Sequence, residues 1–195
     1  MIGSLIYVRV SGFYFLPVLE GKPDVVLSID RDVVHQPVPS FQREFRQLIG
    51  YMPPVCLASN LVVVVANATM YHFGVLTSNV FMSWMRAVCG RLKSDYRITK
   101  DNVYNNFPWP NPTPKQKELI EKTAQGILDA RAKYPDSSLA DLYDPLTMPP
   151  ELRKAHIAND VAVMQAYGMP IKETDEAACI AWLMRLYQEK INDMS

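Results

Sequence analysis

A short basic segment that contains one acid carries the side chains with the most specific chemistry in this chain. It runs Arg91-Leu92-Lys93-Ser94-Asp95-Tyr96-Arg97. Lysine donates hydrogen bonds to the O6 and N7 atoms of guanine, and aspartate accepts one from the N4 amino group of cytosine. Because one residue separates Lys93 from Asp95, the two could contact both bases of one G·C pair in the major groove. These residue types therefore suit the reading of DNA base edges.

The cations around this segment form a basic patch in a chain whose formal net charge is +0. Residues 1–100 carry a net charge of +4, and residues 101–195 carry −4. Near the segment, five cations accompany the single acid: Arg86, Arg91, Lys93, Arg97 and Lys100. Such a patch is compatible with binding of a polyanion. A solvated basic surface is the alternative that charge by itself leaves open.

The individual cations are expected to have different tasks. Arg97 could read a base or hold a phosphate. Arg86, Arg91 and Lys100 fit contacts to DNA phosphates, which position a protein without specifying sequence. Arg86 lies within a predicted helix, so an ordinary position on the helix surface is the alternative for it.

A predicted helix supports the basic segment. Ser78 is a suitable N-cap, and Gly90 is placed just beyond the C-terminus of the helix. Between them, apolar residues at helical spacing form one face, for which core packing is expected: Phe81, Trp84, Met85 and Val88. The preceding stretch, Tyr71–Leu76, is ambiguous between strand and helix. The chain therefore leaves a rigid element at Gly90 and passes directly into the basic segment.

The two halves of the chain differ in their predicted elements. Residues 5–34 are rich in β-branched and aromatic residues and predict strands, and Leu61-Val62-Val63-Val64-Val65 predicts a buried strand. Four prolines between 108 and 114 mark a boundary. The sequence thus predicts an α+β fold, with a mixed sheet-and-helix domain over 1–110 and a small helical bundle over 111–195.

Local capping signals place the helices of the second half. Thr113-Pro114-Lys115-Gln116 is a capping-box pattern with proline at the first helical position. A short helical turn is predicted at 138–142. Pro149-Pro150 begins a further helix that Gly168 ends, and Thr174-Asp175-Glu176 begins the last helix.

No catalytic, cofactor-binding or metal-binding residue is predicted. The sequence has no glycine-rich phosphate loop, no G-x-S-x-G elbow, no H-E-x-x-H and no C-x-x-C pair. Its cysteines, Cys56, Cys89 and Cys179, are predicted to be buried free thiols in a reducing compartment. Neither a secretory signal nor a membrane span is expected, which favours a cytoplasmic protein without a membrane partner.

Several longer stretches are similar to one known family. Three of them resemble the end of the target recognition domain of MmeI-like enzymes: His72–Ser78, Trp84–Arg97 and Val103–Pro110. The stretch Leu139–Leu152 resembles the C-terminal domain of the same family. The resemblance extends from about residue 48 to residue 190, and residues 1–40 match it poorly. The first domain is therefore interpreted as a partial target recognition domain.

The resemblance implies a function in DNA modification. MmeI-like proteins are single-chain type II restriction–modification enzymes and their DNA-methylase relatives. Full members carry endonuclease and methyltransferase domains that use Mg and S-adenosylmethionine, whereas this chain has neither the S-adenosylmethionine loop nor the catalytic Asn-Pro-Pro-Tyr motif. We expect a sequence-specific recognition fragment of a DNA adenine-N6 methyltransferase or restriction–modification enzyme that is not catalytic by itself. Its partners would be double-stranded DNA and a methyltransferase domain, lost from this chain or supplied in trans.

The resemblance also implies roles for single residues. In the family, two residues that flank a serine, and that match Lys93 and Asp95, help to set one base pair of the target. Arg97 matches another position linked to base choice. We therefore predict that Lys93 and Asp95 read a G·C pair, with G on the strand that carries the methylated adenine. The alternative is a degenerate remnant or a protein-interaction domain without DNA binding, and salt-dependent DNA binding would separate the two.

Overall fold

The computed structural model describes residues 5–7, 49–52, 65, 68–92, 95–97 and 100–193. At positions 5–7, 51–52, 91–92, 95–97, 100 and 140 only the backbone is described. In chain order, the elements are β1 (Leu5–Tyr7), β2 (Gly50–Met52), α1 (Met70–Leu76), α2 (Asn79–Val88), β3 (Gly90–Leu92), β4 (Asp95–Arg97), a π-helical segment (Lys100–Tyr104), α3 (Pro114–Ala132), α4 (Leu139–Leu142), α5 (Pro150–Ala166) and α6 (Glu176–Asp193).

The predicted α+β class, with a mixed sheet-and-helix domain, is wrong. The described part of the chain is helical, and its strands are confined to two separate antiparallel pairs with three residues per strand. Tyr71–Leu76, which was ambiguous in sequence, belongs to helix α1. An apolar run that is buried on all sides has no periodicity that distinguishes strand from helix. The strands predicted within 8–34 and at 61–64 lie outside the described residues.

The helix that leads to the basic segment begins and ends where the sequence predicts. Ser78 is the N-cap of α2, and its Oγ accepts a hydrogen bond from the Phe81 amide at 3.3 Å. Cys89 ends the helix in an extended conformation, with φ −71° and ψ 148°. Gly90 does not adopt a left-handed conformation, because it is already the first residue of β3. The helix therefore continues into the strand with Cys89 as the only intervening residue.

Local capping also fixes the C-terminal helices. Thr113 and Gln116 form the predicted capping box at the start of α3, with the Thr113 amide donating to Gln116 Oε1 at 2.8 Å. Helix α5 ends in a Schellman motif around Gly168, whose φ is 68°. There the Gly168 amide donates to Gln165 O at 3.1 Å and the Met169 amide to Met164 O at 3.0 Å.

The hydrophobic core is continuous across the predicted boundary at residue 110. Helices α3 and α5 pack antiparallel, since Gln116 near the start of α3 bonds Gln165 at the end of α5. Helix α1 packs on α3, and α2 packs on α6. The largest fully buried side chains come from both sides of the boundary: Trp84, Phe73, Phe81, Phe107, Leu76, Met82, Met85, Ile120, Ile127 and Leu152. The division at 110/111 stays a prediction, and the two parts share one core.

The described cysteines are free thiols. Cys179 is buried, as predicted, and burial raises the pKa of its thiol to about 11. Cys89 is only half-buried, and Cys56 lies outside the described residues. None of the helices in the described ranges is both long and apolar enough to cross a membrane.

Candidate nucleic-acid interface

The basic segment folds as a narrow antiparallel pair of strands. In β3 and β4, Gly90 is opposite Arg97, Arg91 is opposite Tyr96, and Leu92 is opposite Asp95. Alternate residues of a strand belong to opposite faces. By this register, positions 95 and 97 share one face of the pair, and position 91 belongs to the other face. Two of the predicted base-reading residues are thus brought together, whereas Arg91 is separated from them.

Some of the predicted site residues are described only in part. Lys93 lies outside the described residues, so its distance from Asp95 stays a prediction. For Arg91, Asp95, Arg97 and Lys100 the backbone alone is described, and it assigns Lys100 to the first position of the π-helical segment. The assignment of these side chains to bases and phosphates therefore also stays a prediction.

Both ends of the strand pair join the same buried unit. One strand follows α2 directly, and the other is followed by the π-helical segment. Trp84, which is 1% exposed, donates its Nε1–H to the Val103 carbonyl at 3.0 Å and so links α2 to that segment. Phe107 packs edge-on against Phe81, with 5.1 Å between ring centroids. The sequence predicted that Trp84 is a core residue but not that it joins the two ends.

The proline-rich stretch after the strand pair is held by buried tyrosine hydroxyls. Tyr71 donates to the Pro110 carbonyl at 3.3 Å, and Tyr167 donates to the Pro108 carbonyl at 2.8 Å. Burial raises the pKa of Tyr71 to about 12 and raises the pKa of Tyr167 well above its usual range. Trp109 packs edge-on against Phe107, with 5.4 Å between ring centroids. The aromatic residues here therefore pack the junction between the strand pair and the C-terminal helices.

Arg86 has a protein partner in the structure. Its Nε–H donates to Glu176 Oε1 at 2.5 Å, and the side chains are 32% and 52% exposed. Glu176 is the first residue of α6. A DNA phosphate would have to displace this carboxylate in order to bind Arg86. The phosphate contact predicted for Arg86 therefore stays a prediction.

Two family models divide the chain between them. The model described as the MmeI target recognition domain matches residues 30–111, and that of the MmeI C-terminal domain matches residues 112–195. The chain belongs to the MmeI family.

Two similar proteins agree with this assignment. DNA methyltransferase A of Bacillus subtilis (strain 168) is 41% identical over 154 residues, which cover 78% of this chain and 17% of that protein. The solved structure of the Type IIL restriction-modification enzyme MmeI in complex with DNA superposes with a TM-score of 0.70 and 40% identity. It covers 87% of this chain and 21% of the MmeI chain. The chain thus spans only a small part of the length of these relatives.

Two consecutive polar residues of α5, Asn159 and Asp160, form hydrogen bonds with backbone groups of α1 and α2. Asn159 donates its Nδ2–H to the Gly74 carbonyl at 2.8 Å and accepts from Thr123 Oγ1 at 3.1 Å. Asp160 Oδ1 accepts from the Asn79 amide at 2.7 Å. Sequence reasoning missed both residues. The signal was available, because both occupy the same helical face as Leu152, His156 and Val163, which are buried.

A second link joins the C-terminal domain of this MmeI-family chain to the start of β2. Arg131 donates to the Ile49 carbonyl at 2.9 Å and, from its Nε, to the Tyr143 hydroxyl at 2.9 Å. The hydroxyl of Tyr143 also shares a hydrogen bond of 2.6 Å with Nε2 of the buried His156. The arginine of α3 thus holds backbone from the target recognition domain.

Across the described ranges, no three His, Cys, Asp or Glu side chains lie close enough together to share a metal ion.

Proposed function

We propose that this chain supplies DNA target recognition to an MmeI-family restriction–modification enzyme or DNA methyltransferase, and that it performs no chemistry itself. The observation that carries the proposal is the match of residues 30–111 to the MmeI target recognition domain. The chain is also 40% identical to the part of MmeI that it covers, and that enzyme was solved in complex with DNA. The strand pair β3–β4 is the element of this domain that we assign to the DNA.

The shape of this element supports the proposal. The major groove of B-DNA admits a two-stranded β-ribbon, and β3–β4 is such a ribbon. Lys93 and Asp95 would read a G·C pair, each through hydrogen bonds to base edges. A good contact of this kind discriminates by about 1–3 kcal/mol against the wrong base. Arg97 belongs to the same strand face as Asp95 by register, so it would contact the same stretch of DNA.

The remaining parts of the function would come from other domains. A methyltransferase domain, in the same chain or in another, would hold S-adenosylmethionine and transfer the methyl group to adenine. Mg would belong to the endonuclease domain of members that cleave DNA. A chain with this task would work in the compartment that contains the DNA, and we propose the cytoplasm.

Salt-dependent DNA binding tests the proposal. If Arg91 and Lys100 contact two phosphates, log K should fall with log salt with a slope of about −2, and a third contact by Arg86 would make the slope about −3, because lysine and arginine bound at phosphates release the counterions held by the DNA. Arg97→Ala should weaken binding, whereas Arg185→Ala, which removes an exposed arginine from α6, should not. Fluorescence anisotropy with a labelled duplex at several salt concentrations measures both. Binding that is absent or unaffected by salt would leave the alternative, a remnant or protein-interaction domain.

Base preference tests the assignment of Lys93 and Asp95. The double substitution Lys93→Glu with Asp95→Arg exchanges the donor and the acceptor. At one position of the target, we expect the preferred base on the same strand to change from G to C, because glutamate accepts from cytosine N4 and arginine donates to guanine. Selection of bound duplexes from a randomised pool measures the preference for wild type and variant. An unchanged preference would contradict the assignment while leaving DNA binding itself standing.

A further inference from the structure

The helix that leads into the strand pair is held at its beginning by α5. Asp160 Oδ1 accepts a hydrogen bond of 2.7 Å from the amide of Asn79, the first residue of α2. Asp160 is 9% exposed. A hydrogen bond to a carboxylate is shorter and stronger than one between neutral groups. The negative charge also lies at the positive end of the helix dipole. The beginning of α2 therefore has a defined place on α5.

The same helix is held at its end by α6. The ion pair of Arg86 with Glu176 joins the last turn of α2 to the first residue of α6. Between the two ends, Trp84 of α2 contacts Tyr187 of α6, with 5.7 Å between ring centroids. Helices α5 and α6 thus hold α2 at both of its ends and in its middle.

The position of α2 determines the position of the strand pair. Only Cys89 intervenes between the last residue of α2 and the first residue of β3. The Cys89 amide donates to the Met85 carbonyl at 2.9 Å, so this residue is itself fixed to the helix. Helix α2 is a stiff rod that rises about 1.5 Å per residue. If this rod tilts about one end, its other end moves, and the strands that follow that end move with it.

We propose that Asp160 and Glu176 are positioning residues for base recognition, which fix α2 so that β3–β4 meets the DNA at a set angle. The inference rests on the proposed function. In this view the C-terminal domain contributes to target choice, and Arg86 pairs with Glu176 instead of contacting a DNA phosphate. Base contacts require side chains to be held to within fractions of an ångström, and a two-stranded ribbon by itself is not rigid.

Amide hydrogen exchange in the full chain without DNA tests the positioning directly. Glu176→Gln removes the charge that pairs with Arg86 while keeping the size of the side chain. We expect the amides of the β3–β4 ladder to exchange about two- to fivefold faster, as fits the loss of a partly exposed ion pair. The amides of α3 and α5 should keep their wild-type rates. Glu173→Gln makes the same change of charge at an exposed site before α6 and should leave the ladder unchanged.

A charge reversal supplies the rescue. Arg86→Glu combined with Glu176→Arg rebuilds the ion pair with opposite polarity, against the dipoles of both helices, so the ladder of the double variant should exchange more slowly than that of either single variant. Unchanged exchange in Glu176→Gln, or no recovery in the double variant, overturns the positioning role of this pair. Asp160→Ala should accelerate ladder exchange, and Asp160→Asn, which keeps an acceptor oxygen for the Asn79 amide, should do so less. Equal rates in the two Asp160 variants would overturn the role of Asp160.

DNA binding by the same proteins separates the two roles of Arg86. A positioning role predicts weaker and less base-selective binding in Glu176→Gln and recovery in the charge reversal. A phosphate contact predicts the opposite: tighter binding when Glu176 is neutralised, and loss of binding in the reversal, and this outcome overturns the inference. If the wild-type chain binds no DNA, the proposed function fails, while the exchange experiment still decides whether the pair fixes the strands.

Discussion

At the scale of single residues, a histidine performs a capping task that glutamate or glutamine usually performs. The Thr69 amide donates to His72 Nδ1 at 3.0 Å, which closes a capping box at the start of α1. Nδ1 can accept only when the imidazole is neutral. Burial lowers the pKa of His72, and the charge of Lys117 lowers it further, against an opposing effect of Glu121.

This geometry predicts a pH dependence of stability that belongs to His72. Above the usual histidine pKa of about 6.5 the ring is neutral in both states, so it contributes no pH dependence. As the pH falls below that value the unfolded chain binds the proton first, so the free energy of unfolding decreases until the pH passes the folded pKa. His72→Gln keeps a capping acceptor that does not titrate.

Urea unfolding of wild type and His72→Gln at about pH 7.5 and about pH 5.5 measures the effect. We expect the wild type to lose more stability than the variant over this range. Equal losses would show that His72 does not contribute.

Gly74 is required by the close packing of α1 on α3. A Cβ at this position would lie 2.7 Å from Ile120 Cγ2, 3.0 Å from Asn159 Oδ1 and 3.1 Å from Ala124 Cβ. Gly74→Ala should therefore destabilise the fold by about 1–3 kcal/mol. Gly126→Ala is the control, since nothing lies within 4 Å of a Cβ there, and it should stabilise α3 by about 0.5–1 kcal/mol. Chemical denaturation measures both, and a neutral Gly74→Ala would contradict the close approach.

At the scale of elements, most helix ends could be predicted and the type of one element could not. The ends of α2, α3 and α5 depend on residues within a few positions, such as Ser78, Thr113 and Gly168. Residues 71–76 gave no such signal for helix over strand. Their helical state depends on α3, which approaches the Gly74 backbone closely enough to exclude a side chain.

The Schellman motif predicts the behaviour of substitutions at Gly168. Its φ of 68° is in the left-handed region, so Gly168→Ala should cost about 1–2 kcal/mol of stability. Gly168→Asn should cost less, because asparagine tolerates this region better. Thermal unfolding followed by circular dichroism compares the two variants. An alanine variant as stable as the asparagine variant would show that the left-handed conformation is not required.

At the scale of the whole molecule, the shared core joins the parts that match different MmeI-family domains. Phe73 and Trp84 from one part are fully buried together with Ile120 and Leu152 from the other. Asn159 and Asp160 add buried hydrogen bonds across the same boundary. The two parts therefore depend on each other for their burial.

This predicts a single cooperative unfolding transition. Trp182→Phe leaves Trp84 and Trp109 as fluorescent reporters of the target recognition part, while circular dichroism follows mainly the C-terminal helices. The substitution should cost little hydrogen bonding, since the described residues offer Trp182 Nε1 no partner. We expect the urea midpoints of the two signals to coincide. Two separated midpoints would contradict a shared core.

The sequence by itself determined the features that depend on neighbouring residues: the caps, the glycine stop, the exit of the chain from α2 into a basic segment, and the family motifs. The tertiary structure alone decided that 71–76 is helical, that Arg86 has a carboxylate partner, and that Asp160 reaches Asn79 across 81 positions of sequence. Capping is decided by hydrogen bonds within one turn, whereas those contacts exist only after helices distant in sequence have packed together.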